Sequence, residues 1–580
     1  MKVRGDFAAD KRLILIAMIS IFIGAVCAYV AVLLLSMISF FTNLFYFHQF
    51  SLTPRSPSTN SLGLFMIVVP VAGGLIIGLM ARYGSEKIRG HGIPEALEAI
   101  LFGKSIMSPK VAILKPLSSA ISIGSGGPFG AEGPIIMTGG AFGSIIAQGF
   151  HLTAAERKTL LVAGASAGMS ATFASPIAAV LLAVELLLFE WKPRSLVPVA
   201  LASAVAAALR SHLLGAGPLF PIPAHAAVGW LGLLAAGIVG LTAGAFSASL
   251  SASLYKLEDW FEHIPVHWMW RPAIGGLIVG IGGYFQPRAL GVGYDVIGDL
   301  LRGHLVASVV LGLVAVKCVI WIISLASGTS GGVLAPLLIM GCSLGALESH
   351  FLPTGGSSLW PLVGMAAVLG GMMRAPFTAV IFALELTHDV DALPPLLIAS
   401  VCAYAFTVLT MKRSILTEKV ARRGYDIFRE YGVDPLEKSR VSEAMSQPVV
   451  TIPSSTPASE LLERYFASSN KHRGYPVLNE KDELIGVLTI SDLLGGSFLE
   501  SDKTLQARDL IGAETISAYA EETCREAAER MATRGVGRLP VVSSHDPKKL
   551  IGIITRSDLL KPRLSDFEDE QKYERHWKLT

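Results

Sequence analysis

The chain has 580 residues, of which 52% are hydrophobic and 16% charged, and its mean hydropathy is +0.55. That is too apolar for an ordinary soluble protein and points to membrane spans. The formal net charge of +3 gives no sign of a nucleic-acid partner. Cys27, Cys318, Cys342, Cys402 and Cys524 show neither paired nor metal-binding spacing and read as packing residues.

In chain order, Lys2, Arg4, Lys11 and Arg12 precede the first apolar run and predict a cytoplasmic amino terminus over residues 1–12. Long apolar runs at 13–41, 63–81, 227–254, 304–325 and 391–411 predict spans, the first too long for a cleaved signal peptide. Shorter runs, broken by Gly and Pro, lie at 92–102, 131–150, 158–168, 175–189, 332–347 and 375–386. They predict helices that end at membrane depth, which is tolerated only inside protein or beside a wet cavity. After Met411 the composition turns polar: 412–437 predicts a linking helix, and the rest, to a tail at 563–580, a soluble α/β region.

The apolar part repeats itself. Arg89-Gly90-His91-Gly92-Ile93-Pro94-Glu95 is answered by Gly291-Val292-Gly293-Tyr294-Asp295. Gly130-Ala131-Glu132-Gly133-Pro134 is answered by Gly332-Val333-Leu334-Ala335-Pro336. From Gly90 to Pro134 is 44 residues (134 − 90), and from Gly291 to Pro336 is 45 (336 − 291). Lys115 and Lys317 lie 202 apart (317 − 115), and Pro176 and Pro376 each precede a Glu, Glu185 and Glu385, by nine residues. The two halves, 13–212 and 225–411, predict a transporter-type fold with its site at the repeat interface.

The polar region is also a repeat. Tyr475-Pro476-Val477-Leu478 and Leu484–Asp492 are matched by Leu539-Pro540-Val541-Val542 and Leu550–Asp558, the closing Asp residues 66 apart (558 − 492). This resembles a tandem pair of CBS modules, at 438–496 and 505–562. The resemblance implies an adenosine nucleotide held by Thr489, Asp492, Thr555 and Asp558, phosphates being suited to free N–H groups at a helix start. The plain alternative is that Ser491–Asp492 and Ser557–Asp558 are helix caps.

Gly90–Pro94, Gly130–Pro134 and Gly332–Pro336 each place Gly before Pro and an apolar run, which predicts helix starts aimed into the protein. Such starts carry free N–H donors and a partial positive charge, and three converging would bind an anion without a fixed cation. That keeps binding weak enough for conduction. The alternative is surface loops. Glu132 is the carboxylate in these stretches, and an intramembrane ionisable residue is a functional candidate, against a structural cap.

These three stretches, in this order and spacing and followed by a CBS pair, resemble the anion-pathway signatures of the CLC family of chloride channels and proton/chloride antiporters, over about residues 12–562. The resemblance implies an all-α polytopic membrane domain of two inverted repeats with many short and broken helices, followed by an α/β tandem CBS domain. It implies a homodimer in the lipid bilayer with one pore per subunit, no required cofactor and no metal. Glu132 falls on the gating glutamate: ionised it blocks the site, protonated or displaced it frees it. The pore would be lined by Gly90, His91, Gly92, Ile93, Pro94, Gly130, Ala131, Gly133, Gly332, Val333, Leu334, Ala335 and Leu416.

Four departures bear on mechanism. His91 stands where most members have a coordinating Ser, and it titrates near neutrality unless perturbed. Leu416 replaces a coordinating Tyr. Leu186, beside Glu185, takes the position of the antiporters' intracellular proton glutamate, and Leu carries no proton. Ala131 replaces a basic neighbour of the gate. Lys115 is retained, and reads as pore electrostatics, a carboxylate partner, or a snorkelling side chain. These imply a passive anion channel that is not an enzyme, modulated by its CBS pair. An antiporter using His91 or a water path is the close alternative. A divalent-cation transporter would need several carboxylates facing one ion, and a pure sensor lacks an output motif. Chloride, bicarbonate, nitrate and fluoride all stay open. The absence of an organelle signal and the compact tail fit a bacterial inner membrane.

Overall fold

The computed structural model describes residues 11–103, 105–223, 225, 228–352, 356–424, 427, 434, 436, 439–467, 472–495, 505–512, 515–562 and 564. Residues 1–10 of the predicted amino terminus, most of the linking helix beyond 424, and the predicted tail other than residue 564 lie outside them. The chain divides into two compact units, Met1–Glu430 and Tyr431–Thr580.

The first unit is helical throughout. Its first half holds α1 (Arg12–Phe47), α2 (Val68–Tyr83), α3 (Ile93–Leu101), α4 (Pro109–Gly124), α5 (Glu132–Gln148), α6 (Ala154–Phe173), α7 (Pro176–Leu182) and α8 (Pro193–Leu213). A π-helical turn, Ala183–Leu188, continues α7. The second half repeats the series with α9 (Trp230–His263), α10 (Arg271–Phe285), α11 (Tyr294–Leu301), α12 (Ala307–Ala326), α13 (Leu334–Glu348), α14 (Gly356–Met373), α15 (Pro376–Thr387) and α16 (Leu393–Thr410), and α17 (Ile415–Ala421) follows.

Among the described residues six helices are long and apolar enough to cross a membrane, and five overlap the long runs read from the sequence. The sixth, Pro193–Leu213, has the lowest hydropathy with 1.5, because Arg194, Ser195, Ser203, Arg210 and His212 dilute it. Most shorter runs match α3, α5, α6, α7, α13 and α15 closely. Helices α4, α8, α10, α11 and α14 have no counterpart among the runs singled out in the sequence. Lys115, Pro116 and several serines mask α4, and Pro361 interrupts α14.

The relation between the halves is visible in their contacts. Helices α2 and α10 pack so closely that a Cβ on Gly74 would strike the backbone of Pro272, and one on Gly276 the backbone of Pro70. The two contacts are exchanged by one offset, 276 − 74 = 202 and 272 − 70 = 202. Small residues let membrane helices approach in this way.

A second exchange joins α7 and α15. The Glu185 carboxylate accepts from the Thr378 N–H at 2.8 Å and the Phe377 N–H at 3.3 Å, at the start of α15. The Glu385 carboxylate accepts from the Ile177 and Ala178 N–H groups at 2.9 and 2.8 Å, at the start of α7. Each half therefore caps a helix of the other, satisfying donors that have no intrahelical partner. Losing such a cap costs about 0.5–2 kcal/mol. We expect Glu385→Ala to lower the thermal unfolding midpoint of the detergent-solubilised protein and Glu385→Gln to lower it less; equal midpoints would rule out the cap as a source of stability.

The second unit consists of α18 (Val441–Ala444), β1 (Ile452–Pro453), α19 (Ala458–Arg464), β2 (Gly474–Leu478), β3 (Leu484–Thr489), α20 (Ile490–Gly495), β4 (Ala518–Tyr519), α21 (Cys524–Arg534), β5 (Arg538–Val542) and β6 (Leu550–Thr555). They form two three-stranded sheets, β1-β2-β3 and β4-β5-β6. In each, the first pair is parallel and the second antiparallel, with Val477 opposite Gly486 and Val541 opposite Gly552. Leu461, Val477 and Leu488 centre one apolar core, and Ala527, Val541 and Ile554 the other.

Candidate anion site

The Gly-rich stretches meet as paired loops inside the first unit. Gly90 N–H donates to Thr329 O at 2.8 Å, and Gly130 and Gly332 exchange N–H···O bonds of 3.1 and 2.9 Å. On the other half Gly291 N–H donates to Gly126 O at 3.1 Å, a counterpart of the Gly90 contact. Loops are thus stitched across the repeat boundary, and α3, α5, α11 and α13 all begin at them.

Two buried lysines fasten this arrangement. Lys115 Nζ donates to Ile88 O and Gly90 O, both at 2.8 Å, and to Ser330 Oγ at 3.2 Å. Lys317 Nζ donates to Ala289 O at 2.9 Å and Gly291 O at 3.1 Å. Both side chains are fully buried. Lys115 does not snorkel: its ammonium closes the loop that carries His91, while Lys317 does the same for the loop that carries Tyr294.

Glu132 is the first residue of α5 and is fully buried. Its carboxylate folds back over Gly130, where a Cβ would overlap it, and a Cβ on Gly332 would come within 2.8 Å of Oε2. Glycine at both places makes the seat. The carboxylate faces the N–H of Ala335 in the first turn of α13, its own N–H, the Tyr294 hydroxyl and the Lys317 charge. Neither carboxylate oxygen has a hydrogen-bond partner of standard geometry among the described residues. A buried carboxylate with no partner of standard geometry at two helix starts is the candidate for the site's function.

The other sequence candidates fall around it. Ala131 and Val333 precede α5 and α13, Gly92 precedes α3 with Ile93 and Pro94 in its first turn, and Leu334 and Ala335 open α13. His91 is 3% exposed, its Nδ1 has no partner among the described residues, and its carbonyl lies against Gly133. Leu416, in the first turn of α17 behind the Ser414 cap, is fully buried. Leu186 is buried too, around a void of only about 10 Å³ shared with Met169, Leu182, Leu334, Met373 and Phe382.

A cavity of about 690 Å³ reaches Gly90. Lys87, Arg89, Arg271, Lys419, Arg422 and Arg423 line it together with Glu86, Glu95, Glu98, Glu258 and Glu262. Glu95 accepts from the Gly92 N–H at 2.9 Å and from Arg423 at 2.5 Å, and Arg423 also reaches Glu98 at 2.8 Å. Arg423 thereby ties the chain beyond α17 to the start of α3. The Arg89 guanidinium stacks 4.8 Å over Trp268. Arg89 and Arg423 carried no assigned role in the sequence because their charges meet only in the fold. Tyr294 was legible as part of the echo; the 201-residue offset (294 − 93) that sets it opposite Ile93 is the signal that could have singled it out.

In the second unit the closing carboxylates turn back on the Thr of their own motifs, Asp492 exposed and Asp558 buried. Asp492 accepts from the Thr489 N–H at 2.7 Å and hydroxyl at 2.6 Å. Asp558 does the same with Thr555 at 2.9 and 2.6 Å, and also meets Ser446 and Lys561. Burial alone would raise the Asp558 pKa, but Lys561, Thr555 and Ser446 together hold it below the ordinary carboxylate value.

Comparison with known proteins agrees with this architecture. The profile described as "Voltage gated chloride channel" matches residues 73–408, and the CBS domain profile matches 441–497 and 507–564. A "Voltage-gated ClC-type chloride channel ClcB" of Citrobacter koseri is 30% identical over 376 residues, covering 63% of this chain and 89% of its own length. One of Salmonella dublin is 31% identical over 368 residues, 61% of this chain and 87% of its own. Among solved structures, a slow cyanobacterial Cl−/H+ antiporter covers 72% of this chain and 99% of its own at 21% identity, with a TM-score of 0.62. A eukaryotic CLC transporter covers 94% and 98% at 18% identity, with a TM-score of 0.59. The profile spans 336 of 580 residues (408 − 73 + 1). The chain is an integral, multi-pass membrane protein of the CLC chloride transporter family, its membrane domain followed by a CBS pair.

Proposed function

We propose that this chain conducts chloride passively, as a homodimer with one pore per subunit, gated by Glu132 and modulated by its CBS pair. The observation that carries the passive mode is the packing at Leu186. A proton path from Glu132 needs a second carrier, and here the corresponding position is an aliphatic side chain against Met169, Leu334 and Phe382 with no room for a water chain. Glu185 and Glu385, the nearest acidic alternatives, accept N–H groups at helix starts. Relatives bearing the channel name support the same reading.

A second reading, proton/chloride antiport, is favoured by one observation. His91 Nδ1 has no partner among the described residues and neighbours Glu95, which lines the large cavity, so a proton relay from that side is chemically available. A solved neighbour of this fold is itself an antiporter.

Purified protein in chloride-loaded liposomes separates the two. Once a potassium ionophore releases the membrane potential, chloride efflux and external pH are recorded together. Chloride efflux without proton movement is expected. Uphill proton movement driven by the chloride gradient would sink the passive reading and turn attention to His91 and Glu95.

A further inference from the structure

Tyr294 opens α11 in the loop that mirrors the His91 loop. Its ring is held edge-on to Phe173 with centroids 6.0 Å apart and tilted against Phe220 at 6.1 Å. Two aromatic neighbours fix where the hydroxyl points. That hydroxyl is buried and has no hydrogen-bond partner of standard geometry among the described residues. It faces the Glu132 carboxylate, whose two oxygens are equally without a partner. A buried donor and a buried acceptor that face each other within interaction range, yet outside standard hydrogen-bond geometry, call for an explanation.

The rest of the site supplies one. His91 and Leu416 bring no hydroxyl to the pathway, and the other groups facing Glu132 are backbone N–H groups and Lys317, whose ammonium is engaged with Ala289 O and Gly291 O. A Tyr hydroxyl is an uncharged donor, so it can hold an anion without trapping it.

We propose that Tyr294 is the positioning residue of the gate: its hydroxyl steadies the seated Glu132 carboxylate and then donates to the small monovalent anion that replaces it. The proposal rests on Glu132 being the gate. It assigns one donor two successive acceptors, which makes carboxylate and anion compete for the same O–H.

The test uses the full chain in liposomes and detergent, with Tyr294→Phe, Glu132→Gln, the double variant, and Phe173→Leu as a packing control. Tyr294→Phe alone should raise chloride flux at neutral pH by about two- to tenfold, the range of one net hydrogen bond. In the Glu132→Gln background, Tyr294→Phe should weaken calorimetric chloride binding by a similar about two- to tenfold. Phe173→Leu removes one of the two rings that fix the hydroxyl but keeps the O–H itself, so it should weaken that affinity clearly less than Tyr294→Phe does. If Glu132→Gln raises flux while Tyr294→Phe shifts neither flux nor affinity, the role of Tyr294 is overturned and the gate stands. Equal affinity losses in Tyr294→Phe and Phe173→Leu would assign the effect to packing and overturn it too. If Glu132→Gln itself leaves flux unchanged, the gate reading fails and the proposal with it.

Discussion

Glu132→Gln should raise chloride flux through reconstituted protein severalfold at neutral pH and abolish its response to acid. The carboxylate sits where Gly130 and Gly332 leave room and where the starts of α5 and α13 meet, so under the proposed function the ionised form competes with a permeating anion. Protonation removes the charge that the helix starts attract, and the wild-type flux should therefore rise as pH falls. Gln imitates the neutral form at every pH. The measurement is initial chloride efflux from liposomes between acidic and alkaline buffers, wild type against variant. A variant whose flux still climbs on acidification would mean that another group titrates, with His91 first in line.

Lys115→Met and Lys317→Met should each damage the protein more than any other single change in the membrane domain. Each ammonium satisfies two carbonyls at the root of a signature loop, and Lys115 also holds Ser330. Hydrogen bonds to a charged group contribute about 1.5–3 kcal/mol each, and a buried acceptor left unmade costs about 1–3 kcal/mol. We expect a loss on the order of 3 kcal/mol or more for either variant, read as a clear drop in thermal midpoint and in the monodisperse fraction after detergent extraction. Chloride flux per correctly folded protein should fall on the order of tenfold, because the signature loops lose the bonds that hold them in place. An unchanged midpoint with reduced flux would show instead that the lysines act through their charge alone.

The sequence exposes such pairs because the duplication is preserved at the residues that organise the loops. Gly90 and Gly291, Lys115 and Lys317, and Glu185 and Glu385 keep their spacing, and each pair performs the same task in the fold. Most short helices were legible from Pro at their start and Gly around them, since both set backbone conformation locally. What stayed hidden depends on groups that meet from distant segments. The Tyr294 hydroxyl has meaning only opposite Glu132, and Arg423 only beside Glu95 and Glu98, 328 and 325 residues away in sequence (423 − 95, 423 − 98). Helices α8 and α14 escaped for a plainer reason: polar residues in α8 and Pro361 in α14 lower or interrupt their apolar signal.

The crossed caps between α7 and α15 bear on how the protein is made. The donors at Ile177 and Ala178 wait for the side chain of Glu385, which leaves the ribosome 207 residues after Ala178 (385 − 178). Until then those two amides at the start of α7 lack the carboxylate that caps them, and the first half alone cannot supply it. The two halves therefore complete each other, and a split version should be more stable when both fragments are produced together than when either is produced alone.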